Sequence, residues 1–146
     1  MRQFIIASHA RFASGINESI SMLSGARDNI RVLPMYVDGN DDLQTAAREL
    51  IDATPEGDDL VICTDLFGGS VNNEFSIQLF SRPNTYLVTN MNLPLLIQLL
   101  FAEEGRDTAE VIREICAAED TRVKFVNDLL SPASDDADEN AFDEEF

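Results

Sequence analysis

Apolar and polar positions alternate between two periods over residues 1–126. Short, mostly apolar runs that stop at polar residues are typical of strands buried on both faces of a sheet. We predict four such strands, at residues 3–7, 30–37, 60–63 and 85–89. The segments between them carry apolar residues three or four positions apart, which is the spacing of a helix with one buried face. A last short strand is predicted at residues 123–126.

Residues that favour helix ends stand where the helical segments begin or stop. Gly25 is suited to end a first helix that begins near Phe12. Side chains that can accept a hydrogen bond from a first helical turn mark the later starts. These are residues 40–41 for the second helix, Ser70 for the third, Asn92 for the fourth and Asp107 with Glu110 for the fifth.

The alternation of strands and helices predicts a doubly wound α/β fold. Right-handed βαβ units give a mostly parallel, four-stranded sheet with helices on both faces. For a chain of this length we expect the strand order 2-1-3-4, as at the start of a flavodoxin-like fold. In that order the chain reverses direction across the sheet between strands 1 and 3. The crevice outside the carboxyl ends of these two strands is then the expected functional site.

One predicted helix, at residues 93–101, is apolar at nearly every position. A helix on the surface of a monomer normally shows a polar face to solvent. Two interpretations therefore stay open for this helix: it lies in an interface between subunits, or it lies deep within a single chain.

Composition predicts the end of the domain near residue 130 and excludes some classes of binding partner. Residues 131–146 contain seven acidic residues and no Lys or Arg, so we predict a disordered, solvated tail after a domain at residues 1–130. The net charge of −17 argues against nucleic acid and against an anionic membrane surface as partners.

The sequence lacks both a membrane-directed segment and a cysteine-rich pattern. No apolar stretch approaches the roughly 20 residues of a spanning helix, and the first residues lack the pattern of a signal peptide. We therefore expect a cytoplasmic protein with no direct membrane insertion. Cys63 and Cys116 are too few for a disulfide framework or a zinc site, and we expect both to be core residues.

The candidate catalytic and ligand-binding residues lie in the two loops predicted to meet at the crevice. His9 is the only histidine, and a neutral imidazole is a good nucleophile near neutral pH. Asp65, at the end of strand 3, is placed to accept the proton of its other nitrogen. Gly68, Gly69 and Ser70 lead into a helix whose N-terminus favours a phosphate. Together these residues predict a phosphoryl group handled by a histidine.

Three other kinds of site fit the sequence poorly. A Ser-His-Asp hydrolase of the nucleophile-elbow type needs G-x-S-x-G, which the sequence lacks. A nucleotide-binding domain needs G-x-G-x-x-G or a Walker Gly-Lys pair, and neither occurs. An aspartyl-phosphate receiver would use Asp65 as acceptor with acidic residues after strand 1, where this chain has Ser8 and His9.

Three segments carry a resemblance to a known family. They read IIASHARFASGINES at residues 5–19, DLFGGSVNN at residues 65–73 and TNMNLPLL at residues 89–96. In sequence and spacing they resemble the mannose-type IIA component of the bacterial phosphoenolpyruvate-dependent sugar phosphotransferase system. The likeness spans about residues 3–126, nearly the whole predicted domain.

The resemblance implies a role for each candidate residue. His9 would accept a phosphoryl group from phosphohistidine on the carrier protein HPr and pass it to a separate IIB component. Asp65 would accept the Nδ1–H of His9 and leave Nε2 to attack. Ser70 and the nearby backbone, with Gly68 and Gly69, would bind the phosphoryl oxygens. The resemblance implies no metal and no other cofactor.

The resemblance also implies a homodimer, in some members with an exchanged C-terminal strand. The strand predicted at residues 123–126 is the segment available for such an antiparallel, exchanged strand. Two positions depart from the family pattern: Ala10 replaces a usual glycine and Val71 a usual proline. These departures motivate an alternative hypothesis, a non-catalytic regulatory or interaction domain with the same fold.

Overall fold

A single four-stranded parallel sheet forms the centre of the protein. The computed structural model describes residues 1–130 and 132. The strands are β1 (Arg2–His9), β2 (Ile30–Met35), β3 (Asp59–Thr64) and β4 (Thr85–Val88), in the order β2-β1-β3-β4. All three pairings are parallel, so the predicted α/β fold and strand order are confirmed. The predicted acidic tail at residues 131–146 lies outside the described residues apart from Pro132.

Helices connect the strands and continue after the last one. They are α1 (Phe12–Ser24), α2 (Leu43–Asp52), α3 (Ser70–Gln78), α4 (Leu93–Phe101), α5 (Thr108–Ala117) and α6 (Val126–Leu129). Two 3₁₀ turns, Leu79–Ser81 and Glu119–Thr121, follow α3 and α5. None of the described helices has the length and apolar character that a membrane-spanning helix needs.

The core is divided by the sheet into two apolar layers. Successive residues of a strand point to opposite faces, so Phe4 and Ile6 enter one layer and Ile5 and Ala7 the other. The first layer contains residues of α1, α4 and α5, and the second contains residues of α2 and α3. Because β1 and β3 are central and covered on both sides, their carboxyl ends are fixed relative to each other.

The helix starts agree with the sequence except at α2 and α3. Asn92 accepts a hydrogen bond from Leu95 N–H, and Asp107 accepts one from Glu110 N–H, as N-cap residues do. The N-cap of α2 is Asp42, just beyond the predicted pair at residues 40–41. Ser70 was expected to be an N-cap, and this is wrong: Gly69 has the extended backbone of the cap. Ser70 is therefore the first helical residue, and its hydroxyl is left available for the site.

Helix α4 is apolar mainly because it packs inside the chain. Leu95, Leu96 and Leu99 are buried in the first core layer, which supports the intramolecular interpretation for that side of the helix. Phe101 at its end is exposed, with Arg27 stacked over its ring. The remaining exposed apolar surface keeps a subunit interface as a prediction.

The strand expected at residues 123–126 is not formed in the described chain. Residues 123–125 belong to no strand, and Val126 begins α6. The side chains of Val123 and Phe125 are 98% and 67% exposed. A strand needs a neighbour for its backbone hydrogen bonds, and this segment joins none of the four strands of the sheet. Exchange of this segment with a second subunit stays a prediction.

The two cysteines differ in environment. Cys63 lies in β3 and is fully buried, so burial raises the pKa of its thiol to about 12 and the thiol stays protonated. Cys116 was expected in the core, and this is wrong, because it lies on the exposed side of α5. The buried side of that helix is occupied by Val111 and Ile115.

Candidate active site

The two candidate residues predicted at the crevice lie in direct contact. His9 ends β1, and Asp65 follows β3, the neighbouring strand in the sheet. Oδ2 of Asp65 accepts a hydrogen bond from the His9 backbone N–H at 2.8 Å and lies 2.9 Å from His9 Nδ1. Oδ1 is buried and has no hydrogen-bond partner among the described residues. All hydrogen bonding of this carboxylate with the described residues is thus directed to His9.

The contact with Asp65 fixes which imidazole nitrogen carries the proton when the ring is neutral. An ionised carboxylate only accepts hydrogen bonds, so Nδ1 of a neutral His9 must carry the proton. The other nitrogen, Nε2, then keeps its lone pair. The His9 side chain is 40% exposed and that of Asp65 only 14%. The geometry therefore leaves a free lone pair on a side chain that is partly exposed, while the carboxylate that contacts Nδ1 is largely covered.

Two linked hydroxyl groups lie on the Nε2 side of the imidazole. Ser70 Oγ lies 3.1 Å from His9 Nε2, and the Tyr36 hydroxyl lies 2.8 Å from Ser70 Oγ. The rings of Tyr36 and His9 have their centroids 5.6 Å apart and are tilted by 39°. Tyr36 is a site residue that we did not predict from the sequence. Its position could have indicated a place in the site, because Tyr36 follows β2, whose carboxyl end lies beside that of β1.

Glycine permits a close approach of the start of α3 to His9. A Cβ atom on Gly69 would lie 3.0 Å from His9 Cε1 and 3.2 Å from the carbonyl oxygen of Leu66. Gly68 has a φ of +80°, a conformation that side chains disfavour. The first-turn N–H groups of α3 have no partner within the helix, as at every helix start. They begin at Ser70, the residue that contacts Nε2, and such groups favour an anion.

A second set of hydrogen bonds braces the loop that carries Asp65. The buried Thr64 hydroxyl lies 3.0 Å from Asn72 Oδ1 and 2.9 Å from Thr89 Oγ1, which ties β3 to α3 and to the segment after β4. Asn90 Oδ1 accepts a hydrogen bond from Phe67 N–H at 3.0 Å. The loop is therefore fixed at both its beginning and its middle.

The two departures from the family pattern have different structural settings. Ala10 has a φ of +50°, the left-handed region that favours glycine, and its N–H donates to the Met35 carbonyl at 2.7 Å. Val71 is the second residue of α3, and its side chain is buried in the second core layer. The first departure places a small strain beside His9, whereas the second contributes to packing.

The surface around His9 is open and carries exposed apolar side chains. Phe67 is 73% exposed, and Phe12, Tyr36 and Leu66 are each about half exposed. Arg11 and Asp38 form an exposed ion pair at the same end of the sheet. Within residues 1–130 and 132, no three His, Cys, Asp or Glu side chains are grouped to hold a metal ion. An open face with apolar groups suits contact with another macromolecule.

Comparison with protein families gives a match over most of the chain. Residues 3–116 match the family described as the PTS system fructose IIA component. A curated relative, the fructose-specific EIIA component of the PTS from Bacillus subtilis strain 168, is 24% identical over 118 residues, which are 80% of this chain and 81% of that protein.

Solved structures share the fold. A candidate permease of the phosphoenolpyruvate-dependent sugar phosphotransferase system from Klebsiella pneumoniae is 36% identical, with a TM-score of 0.79 over 86% of this chain and 91% of its own. The mannose/sorbose-specific IIA subunit from Enterococcus faecalis is 21% identical, with a TM-score of 0.71 over 85% of this chain and 93% of its own. With a family match from strand β1 to helix α5, this chain belongs to the fructose/mannose-type IIA components of the sugar phosphotransferase system.

Proposed function

We propose that this protein is a phosphohistidine carrier. His9 accepts a phosphoryl group from phosphohistidine on HPr and passes it to a histidine of the IIB component, which serves sugar uptake and phosphorylation. The observation that supports this most is the pairing of His9 Nδ1 with Asp65 at 2.9 Å, because it leaves Nε2 unprotonated at the open face. The family supplies the setting of a sugar phosphotransferase system.

The proposed transfer forms one nitrogen–phosphorus bond and breaks another. Nε2 of His9 attacks phosphorus, and the donor histidine leaves with the electron pair of its own bond to phosphorus. Positive charge develops on the His9 ring, and the Asp65 carboxylate stabilises it across the Nδ1–H bond. Passing the group to the IIB component reverses these steps at His9.

The start of α3 supplies the proposed site for the phosphoryl oxygens. The Ser70 hydroxyl is already at Nε2, and Gly69 lets the helix backbone come within contact distance of the imidazole. Gly68 completes the turn before the helix, and the first-turn N–H groups favour negative charge. Because phosphoryl transfer needs little covalent work from the protein, alignment and charge stabilisation of this kind supply most of the catalysis.

The surface of the protein supports partner proteins of complementary charge. With a net charge of −17, the chain fits a donor that presents positive charge near its histidine. The exposed Phe67 and Leu66 provide apolar contacts beside His9. We further propose a cytoplasmic homodimer, with the exposed apolar surface at the end of α4 and the segment at residues 123–126 as contact regions.

Phosphorylation measured by intact mass tests the proposal. The protein is incubated with phosphoenolpyruvate, enzyme I and HPr, and we expect it to gain one phosphoryl group that is lost in acid and stable in base. His9→Ala removes the only histidine and should abolish the gain. Full uptake by His9→Ala, or no uptake by the folded native chain beside active HPr, contradicts the proposal.

The strained Ala10 beside His9 gives a reason to keep a second candidate function. A regulatory domain with this fold would bind HPr or another partner without accepting a phosphoryl group. Binding of HPr by the native chain, combined with no mass increase, would favour that function.

A further inference from the structure

Tyr36 occupies an unusual backbone position directly after β2. Its φ is +66°, in the left-handed region that a bulky residue rarely adopts. The following turn holds it there: Tyr36 N–H donates to the Asn40 carbonyl at 2.7 Å, and Asn40 N–H donates to the Val37 carbonyl at 3.0 Å. A strained residue beside a reactive group is a reason to ask what its side chain does.

The hydroxyl of Tyr36 ends a chain of hydrogen bonds that has only one direction. Because Nδ1 carries the proton shared with Asp65, Nε2 of His9 can only accept. Ser70 must therefore donate its single hydroxyl proton to Nε2 across 3.1 Å. The Ser70 oxygen then accepts, so the Tyr36 hydroxyl donates to it across 2.8 Å.

This direction matters when Nε2 bonds to phosphorus. The nitrogen lone pair is then used, and the Ser70 proton is released to a phosphoryl oxygen. Before that step, the bond from Tyr36 keeps the Ser70 oxygen occupied and its proton pointed at the site of attack. Without the Tyr36 hydroxyl, Ser70 can rotate toward other acceptors, and its orientation has to be recovered in each transfer.

We propose that Tyr36 is a positioning residue for phosphoryl transfer, acting on His9 through the hydroxyl of Ser70. This inference rests on the proposed function of His9 as phosphoryl acceptor. It is specific to the phenol hydroxyl, because a phenylalanine would keep the tilted ring contact with His9 and lose only the hydrogen bond.

Single-turnover transfer from phosphorylated HPr tests the inference with three variants. We expect Tyr36→Phe to slow transfer about five- to tenfold, the effect of one hydrogen bond. Ser70→Ala should slow it at least as much. In the double variant the tyrosine change should add nothing, because its effect passes through Ser70. Tyr86→Phe, which alters the only other tyrosine, on β4, should leave the rate unchanged.

A spectroscopic measurement separates positioning from general destabilisation. With a single histidine, the ¹⁵N resonances of the imidazole belong to His9 alone. Tyr36→Phe should shift the Nε2 resonance and leave the proton on Nδ1, and it should cause no shift when Ser70 is already alanine.

The outcomes distinguish this inference from the proposed function. Native rate and native Nε2 resonance in Tyr36→Phe, with normal uptake by the native chain, overturn the role of Tyr36 alone. So does a tyrosine effect of equal size in the presence and absence of the Ser70 hydroxyl. A native chain that takes up no phosphoryl group from active HPr overturns both.

Discussion

The loops at the two ends of the sheet are held by different kinds of side chain. At the amino end, arginine side chains fasten the loops. Arg2 is only 3% exposed and donates to Thr108 Oγ1 and to the carbonyls of Glu103 and Arg106 at 2.8–2.9 Å. Similar bonds run from Arg31 to Leu50 and Thr54, and from Arg82 to Pro55 and Asp58.

At the carboxyl end, arginine side chains have a smaller part in holding the loops. Short polar side chains make the hydrogen bonds there, and four residues, Ala10, Tyr36, Asp38 and Asn90, have positive φ without being glycine, against one, Asn84, among the described residues at the amino end. Left-handed backbone costs about 1–2 kcal/mol for a residue such as Ala10 or Tyr36, and less for Asn or Asp. The same end exposes the imidazole and the apolar side chains around it.

The comparison shows where the protein can tolerate strain. Extensive hydrogen bonding at the amino end stabilises the sheet, and the central strands β1 and β3 connect that end to the site. The carboxyl end can then keep an unprotonated nitrogen and a strained backbone on the surface. Substitutions at the amino end should therefore change the free energy of unfolding without changing the transfer rate, and substitutions of the side chains that contact His9 should change the transfer rate with little effect on the free energy of unfolding.

The largest effect is expected for Asp65→Asn. An amide at this position cannot supply the negative charge that stabilises the ring as phosphorus bonds to Nε2. We expect transfer to slow about a thousandfold, which corresponds to about 4 kcal/mol of activation free energy. Single-turnover transfer from phosphorylated HPr measures the rate, and urea denaturation should show a change in unfolding free energy below about 1 kcal/mol.

Asp38→Asn is the matched control for that change. Asp38 is also a carboxylate at this end of the sheet, but it pairs with Arg11 in solvent. The rate should remain native. A native rate in Asp65→Asn instead would remove the carboxylate from the proposed chemistry.

A smaller effect, of the opposite kind, is expected for Arg2→Met. The variant fills the space but leaves buried carbonyls without their donor, so we expect about 3 kcal/mol of destabilisation. Urea denaturation measures this loss, and the transfer rate per folded molecule should not change. Arg11→Met, at an exposed ion pair, should lose no more than about 0.5 kcal/mol. If Arg2→Met slows transfer by the folded protein, the amino end contributes to the transfer rate as well as to stability, and the comparison fails.

The smallest effect is expected for Ala10→Gly. Glycine adopts positive φ without a steric penalty, and part of this gain is cancelled by its greater freedom in the unfolded chain, so we expect a gain of about 0.5–1 kcal/mol. Thermal unfolding measures it. Ala46→Gly, within α2, should instead lose about 1 kcal/mol. Destabilisation by Ala10→Gly would show that no strain is stored beside His9.

Most of the fold could be predicted because the two central strands are buried on both faces. Their apolar runs are too short for buried helices and end at polar residues, and the parallel order then places the ends of β1 and β3 together. That is why the contact between His9 and Asp65 could be predicted from the sequence. Their roles in transfer remain predictions.

The parts that could not be predicted depend on backbone detail or on a missing neighbour. Tyr36 approaches Ser70 from a left-handed position, which no hydrophobic pattern reveals. Ser70 looked like an N-cap because serine is common there, but the extended Gly69 takes that place beside His9. The segment at residues 123–126 has the pattern of a strand, yet it pairs with none of the four strands in the described part of the chain.

The two hydrogen bonds of His9 to one oxygen of Asp65 limit how donor and acceptor proteins can bind. Main chain and ring are fastened to the same atom, so the imidazole cannot swing between two docking positions without breaking its bond through Nδ1. The imidazole is therefore held in one position while these bonds last. In the proposed function, donor and acceptor must therefore take turns on one face, and each partner has to leave before the next arrives.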